Sequence, residues 1–392
     1  MDEPVSGARA CDLCRHRSFR TTIELRRARA LRSDRTVVAA RLKKLSCCRC
    51  GLVCDRTAET PPGDFYYRDE YRIALEDHVF YTADGPRLRS PILADWILSS
   101  LDASGVPRAG IRRVLEVGAG AGFLVTELAG RLPHARCDGF ELNQSAAEAA
   151  HRRGVPVTSG DLSTVPRASF DLVYAVAVLE HVPSPASFIA DLKRVLRPGG
   201  HLVLVQPTQD VQSYDLFFID HLHHFGTVHL AAYAGKCGFA QRLVRVGYEC
   251  MPNFSLHVWS ATDAAPAWQW PGPPAATACE ATTRQVVADM QRLDSTLRQL
   301  TREQRRFGVF GLHEVFALAR AYSSLESSAI QCGLDDDPGK LEYGQYGFPV
   351  MIPERCVDLG ISDVLLTMNK LYYVQASERL TRLGLMPHPV LS

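Results

Sequence analysis

The stretch VLEVGAGAG at 114–122, followed by FLVTELAGRL at 123–132, decides the fold. A short apolar run ends in Glu116, and Gly118, Ala119, Gly120 and Gly122 follow before a helical pattern begins. This reads as strand, tight turn, helix N-terminus. The glycines let the chain turn sharply and approach a ligand with no Cβ in the way, and the helix start offers unpaired N–H groups to a polar ligand. Further along, FELNQS at 140–145 ends a second strand in Glu141, and SGDLSTVP at 159–166 puts Asp161 at the end of a third. FDLVYAVAVLEHV at 170–182 is a fourth strand followed by a helical turn. DLKRVLRPGGHLVLVQP at 191–207 is a helix, a Pro-Gly-Gly turn and a fifth strand. QRLVRVGYE and SLHVWSA alternate in polarity and read as an antiparallel closing pair.

In order and spacing these elements resemble the class I S-adenosylmethionine (SAM) methyltransferases, over roughly 110–262. A dinucleotide-binding domain would account for the glycine turn, but it has no place for the acid-Asp-Leu and LRPGG segments. The resemblance implies SAM as cofactor, lying across the C-terminal edges of parallel strands. It places Glu116 near the methionine end, Glu141 at the ribose, and Asp161 with Leu162 at the adenine. Gly118, Ala119, Gly120, Gly122, Leu142 and Ala177 complete the expected cofactor contacts.

The chain has 392 residues, 46% of them hydrophobic, and a net charge of +1. Two or three domains are expected. Near neutrality gives no global pull toward nucleic acid or membrane. No apolar run reaches spanning length and no signal-peptide core is present, so a soluble cytoplasmic protein is expected. In a reducing compartment the twelve cysteines argue for thiols or metal ligands over disulfides. Cys11 with Cys14 and Cys47 with Cys50 form two CxxC knuckles that can surround a structural zinc. Cys48 and Cys54 fit less well; Gly51 and Leu52 after Cys50 favour Cys47 over Cys48. The competing reading is a set of free thiols. Residues 1–60 carry fourteen Lys+Arg against seven Asp+Glu, which keeps open a zinc module that delivers RNA to a methyltransferase. The arginines are scattered without a stacking strip of aromatics, so nucleic acid is not the expected partner.

SYDLFFIDHLHHFGTVHL at 213–230 is the reactive stretch. It follows the fifth strand, where a loop should roof the pocket. Histidine titrates near neutrality and can take a proton from a carbon acid or a nucleophile. His221 and His224 are therefore catalytic candidates, with His223 in the same cluster. Asp220 is suited to orienting an imidazole or substrate. His181, in VLEH, is expected near the pocket, with backbone bonding as its alternative. A metal in this cluster is disfavoured, because adjacent histidines point different ways. A plain core or loop role for these histidines and His229 is the alternative. FYYRDEYR at 65–72 packs three aromatics side by side, which cannot all face one core, so Tyr66 or Tyr67 should reach a polar partner or the site.

Beyond a Pro/Ala-rich segment at 263–278, RFGVFGLHEVFALARAY at 306–322 again reads strand, glycine turn, helix. Two further strand-bearing stretches follow, at 329–354 and 361–380; the acidic run Asp335–Asp337 within the first reads as a solvated turn. The expected class is thus α/β, with a zinc-binding domain at 1–80 and a SAM methyltransferase domain at 81–262. A linker and helix at 263–306 lead to a second Rossmann-like, substrate-binding domain at 307–392.

That order resembles, through nearly the whole chain, the nucleotide-sugar C-methyltransferases of antibiotic deoxysugar pathways. In that family a ketosugar on a nucleotide diphosphate is deprotonated beside its carbonyl, and the enolate takes the methyl of SAM. FFIDHLHHF lines up with the family's base segment, which puts the base at His221 and the glutamate position at Asp220. FYYR matches a family YYYR and carries a substrate-facing tyrosine to Tyr66 or Tyr67, and VLEH carries over to His181. The family tyrosine falls on Phe218 here, and FGLHEVF at 310–316 replaces a lysine-bearing turn. These departures leave an O- or N-methyltransferase on another natural product as the second reading. Monomer and homodimer are both compatible with the sequence.

Overall fold

The computed structural model describes residues 10–55, 76–82, 85–160, 162–263, 277–336 and 346–392. Tyr66, Tyr67 and Asp161 lie outside the described residues. The chain forms two compact units: 1–23, 43–216 and 220–279 in the first, 24–42, 217–219 and 280–392 in the second.

The N-terminal part supplies β1 (Phe19–Glu24), β2 (Ala30–Leu31), β3 (Val37–Val38), β4 (Lys43–Cys47) and β5 (Val53–Asp55), then a hairpin of β6 (Val79–Thr82) and β7 (Gly85–Leu88). Helix α1 (Arg89–Ala103) follows, and then β8 (Arg113–Val117), α2 (Phe123–Arg131), β9 (Arg136–Glu141), α3 (Gln144–Arg152), β10 (Val157–Ser159), β11 (Phe170–Val176), α4 (Pro185–Val195) and β12 (Leu196–Pro207). The histidine segment holds the short strand β13 (His223–His224), and α5 (Thr227–Lys236), β14 (Phe239–Tyr248) and β15 (Met251–Ala261) follow; of all these elements β2 and β3 belong to the second unit.

A seven-stranded sheet in the order β10-β9-β8-β11-β12-β15-β14 forms the centre of the first unit. The five strands from β10 to β12 pair in parallel, and β14 and β15 close the edge antiparallel, as the alternating polarity predicts. β11 is apolar on both faces because helices cover both sides, the usual condition of a central parallel strand. Its Leu172, Val173 and Tyr174 are wholly buried. Local chemistry starts the helices: Asn143 caps α3 by accepting from Ala146 N–H at 3.0 Å, and α4 begins with Pro185.

A smaller four-stranded sheet in the order β1-β4-β5-β13 joins the cysteine-bearing hairpin to the histidine segment. β13 pairs antiparallel with β5, His223 opposite Cys54 and His224 opposite Val53.

The second unit contains α6 (Ala278–Arg302), β16 (Phe307–Phe310), α7 (Glu314–Tyr322), β17 (Ile330–Leu334), β18 (Val350–Met351), β19 (Asp363–Leu366), α8 (Tyr373–Arg382) and β20 (Met386–Pro389). Its sheet runs β18-β17-β16-β19-β20, parallel throughout. The acidic turn expected to be solvated is only partly so. Asp335 is buried and accepts Leu312 N–H at 3.0 Å, because the turn after β16 leaves that donor unpaired. Asp336 pairs with Arg379 at 2.8 Å. Phe218 belongs to this unit and bridges to Leu31. Among the described residues, no helix is long and apolar enough to cross a membrane.

Candidate active site

The glycine turn opens at the C-terminal end of β8. Gly118 has φ +77, and a Cβ there would stand 2.4 Å from Val178 Cγ2, so both conformation and space require glycine. Gly118 and Ala119 donate their N–H groups to Phe140 O at 2.8 and 3.0 Å, which ties the turn to the end of β9. Glu141, the last residue of β9, accepts from Gly120 N–H at 2.7 Å and Asn143 N–H at 2.9 Å. Burial pushes its carboxyl up, against those backbone bonds. A carboxylate offers about four acceptor sites on its two oxygens, so beside these backbone bonds it can still accept from adjacent hydroxyls. Leu142 follows it directly. Leu162 is buried beyond β10, and Ala177, at φ +53, donates N–H to Val205 O at 2.8 Å just past β11.

Glu116 lies deeper. It is buried, and Tyr174 Oη donates to its carboxyl at 3.0 Å. Burial is the main cause that pushes this carboxyl up to about 8.

The histidines converge on a residue the sequence reading passed over. Asp215 accepts from Nδ1 of His221 and from Nδ1 of His224, each at 2.5 Å. Burial opposes ionisation of Asp215, but the two imidazoles outweigh it and hold the carboxyl far below its ordinary range. An ionised carboxylate only accepts, so both Nδ1 atoms carry hydrogen and Nε2 is the basic nitrogen of each ring. For His221, burial works against the imidazolium, yet Asp215, through charge and hydrogen bond, with Asp220 and Glu180 beyond, raises its basicity. For His224 burial prevails and lowers it. The backbone carbonyl of Asp220 accepts from His181 Nδ1 at 3.0 Å, and its carboxylate's charge favours the imidazolium form of both His181 and His221. Burial first, then the neighbouring His221, lowers His181 to about 4. The two rings meet edge to face at 4.7 Å between centroids. Glu180, also missed, is buried beside them: its carboxylate and one ring nitrogen each of His181 and His221 lie within 4.8 Å of one another.

The cysteine hairpin supports this cluster from behind. Cys11 and Cys50 sulfurs are 3.7 Å apart, those of Cys14 and Cys47 are 3.4 Å apart, and all four lie within 4.8 Å of one another, buried. Thiolates about 2.3 Å from one tetrahedral ion stand about 3.8 Å apart, so this set fits zinc and leaves no open position. Cys48, by contrast, is exposed, and Cys54 is buried outside the cluster. Lys44, wholly buried on β4, donates to His221 O at 2.7 Å and pairs with Asp55 at 3.3 Å. Asp55 N–H donates to Leu222 O at 2.9 Å. His229 has a structural position: its Nδ1 accepts Gly226 N–H at 2.9 Å, and its Nε2–H donates to Cys50 O at 3.0 Å.

Residues 115–204 match the family described as "Methyltransferase domain". An uncharacterized 37.1 kDa protein in a transposon of Streptomyces fradiae is 34% identical over 37% of this chain and 43% of its own length. A ubiquinone biosynthesis O-methyltransferase of Xanthomonas oryzae pv. oryzae is 30% identical over 36% of this chain and 62% of its own. The chain thus spans about half the length of these curated relatives. Among solved structures, a SAM-dependent methyltransferase from Mesorhizobium loti is 20% identical, covers 43% of this chain and 97% of its own, and superposes with a TM-score of 0.36. The match at 115–204 spans most of the parallel strands β8 to β12 of the seven-stranded sheet.

Proposed function

We propose that this chain is a SAM-dependent methyltransferase of secondary metabolism that C-methylates a nucleotide-linked ketosugar through an enolate. The observation that carries this reading is Asp215 fixing His221 as an Nδ1–H imidazole, in the loop that follows β12 on the cofactor edge of the sheet. SAM, when bound, supplies an electrophilic methyl on sulfur. His221 Nε2 takes the proton from the carbon beside the ketone. The C–H electron pair becomes the enolate, which forms the new C–CH3 bond as the methyl–sulfur bond breaks and S-adenosylhomocysteine leaves. His221 then returns the proton to solvent. Glu141 grips the ribose hydroxyls. The second unit, with its own parallel sheet, is assigned to the sugar nucleotide. Incubating the enzyme and S-adenosylhomocysteine with nucleotide-4-ketosugars in D2O tests the reading. Enzyme-dependent deuterium uptake beside the ketone supports it; no uptake across the panel, with cofactor binding intact, counts against it.

Two predictions arise directly. Glu141→Gln should weaken SAM binding about 10- to 100-fold, since a hydrogen bond to a charged group contributes about 1.5–3 kcal/mol; titration calorimetry reads it, and unchanged affinity would remove Glu141 from the cofactor site. Zinc is assigned to Cys11, Cys14, Cys47 and Cys50, where it would supply folding energy to a polar segment. Chelation should release about one zinc per chain, as four thiolates close one site. Because β13 is hydrogen-bonded to β5, amide protection at His223 and His224 should fall with it. Zinc loss with their protection unchanged would separate the module from the site.

An O- or N-methyltransferase is the second reading. Phe218 stands where the resembling family has a phenol, and the ubiquinone-pathway relative is named an O-methyltransferase.

A further inference from the structure

Enolate chemistry leaves one requirement unmet by the histidines. As the proton leaves carbon, negative charge collects on the carbonyl oxygen, and a placed donor must stabilise it. A phenol could do this, but Phe218 has none.

Glu180 answers the requirement geometrically. It sits in the short turn Leu179–His181 after β11, is 2% exposed, and has its backbone carbonyl locked by Leu222 N–H at 2.7 Å. Neither carboxyl oxygen meets a hydrogen-bond partner among the described residues. A buried polar group in that state is costly to leave unpaired unless a ligand completes it. One of the Glu180 carboxyl oxygens lies within 4.8 Å of one ring nitrogen of His181 and one of His221, close enough for one small group to be held between base and donor, each reaching about 2.6–3.2 Å.

We propose that Glu180 is a catalytic residue whose carboxyl O–H donates a hydrogen bond to the oxygen of the forming enolate. The inference rests on the carbon-acid reading above. The proton stays on Glu180: His221 takes the proton from carbon, the enolate oxygen accepts the Glu180 hydrogen bond, and the electron pair passes to the incoming methyl. Burial raises this carboxyl to about 7, against the opposing pull of His221 and Arg89 and with Asp215 adding to it. Beside the adjoining His181 and Asp220, the elements packed against this turn carry His223 and His224 on β13, Asp191, Lys193 and Arg194 on α4, and Arg197 and His201 on β12. The reactive arrangement has one proton on Glu180 and none on His221 Nε2. The pair then titrates together, with macroscopic limbs that belong to both groups.

The exchange assay in D2O tests this with Glu180→Ala and Glu180→Gln, using S-adenosylhomocysteine affinity as the folding control. Wild type should show a bell-shaped pH profile. Glu180→Ala should exchange about 10²–10³ times more slowly, the usual loss on removing one oxyanion donor. Glu180→Gln keeps an N–H donor at every pH, so it should exchange within about tenfold of wild type and lose the alkaline limb. No exchange by wild type overturns the carbon-acid reading and this assignment with it. Wild-type exchange with Glu180→Ala undiminished, or with the alkaline limb kept in Glu180→Gln, overturns the role of Glu180 alone. Metal beyond the zinc equivalent, present in wild type and absent from Glu180→Ala, would make Glu180 a cation ligand and also overturn it.

Discussion

His221→Asn should lower methyl transfer and solvent exchange by about 10²–10⁴-fold, the range that a positioned general base contributes, and leave S-adenosylhomocysteine affinity unchanged. Asparagine can still donate an N–H to Asp215, so the carboxylate keeps a partner, but the basic Nε2 is gone. The pH profile carries the sharper signature. His221 must be deprotonated to act, and Asp215 holds its basicity above that of an ordinary histidine despite burial. Wild-type activity should therefore fall as pH drops through that raised value, and the residual activity of the variant should lack this acid limb. A variant that loses cofactor binding along with transfer would show that His221 holds the fold or the cofactor.

Asp215→Asn is the second large effect. One carboxylate now accepts two Nδ1–H bonds at 2.5 Å. An amide offers one oxygen and one NH2, so it can accept from only one ring; the other must turn its hydrogen to Nε2 or lose the contact. If His221 is the ring that changes, the lone pair leaves the reacting face. A wrong-tautomer histidine costs about 10⁴ in the serine-protease case, and a loss of about 10³–10⁴ is expected here. Nitrogen-edited NMR of the imidazoles would show the tautomer exchange directly. There is also a stability consequence. Asp215 is held below its unfolded value of 3.8, so its contribution is present above that value and fades as pH falls toward the folded one. Asp215→Asn should flatten the acid side of the stability curve. Wild-type rates in Asp215→Asn would remove the carboxylate from the account.

The glycine turn and the strand ends around it were legible because their signals are local. Gly118, Glu141 and the strand ends follow from chain geometry within a few residues, and the parallel order followed from five such segments in series. The two CxxC pairs were equally readable as one cluster, since metal-ligand spacing is a local pattern. Asp215, Glu180 and Lys44 were not. Asp215 lies among Leu216, Phe217 and Phe218, where a lone acid in an apolar run was the available signal. Only the turn after β12 brings its carboxylate back to residues six and nine positions on. Glu180 was overshadowed by its neighbour His181, and nothing in VLEHV says that its carboxyl ends up buried. Lys44 looks like any strand lysine beside Lys43; its burial depends on β5 and the histidine segment closing over it.

The position of the new methyl group decides the central claim most directly. The enzyme, SAM labelled with 13C in the methyl group and nucleotide-4-ketosugars would be incubated together and the product read by NMR. The account predicts a labelled methyl bonded to the ring carbon beside the former ketone, with transfer lost in His221→Asn. A labelled methyl on oxygen or nitrogen, formed at the same rate by His221→Asn, would contradict it.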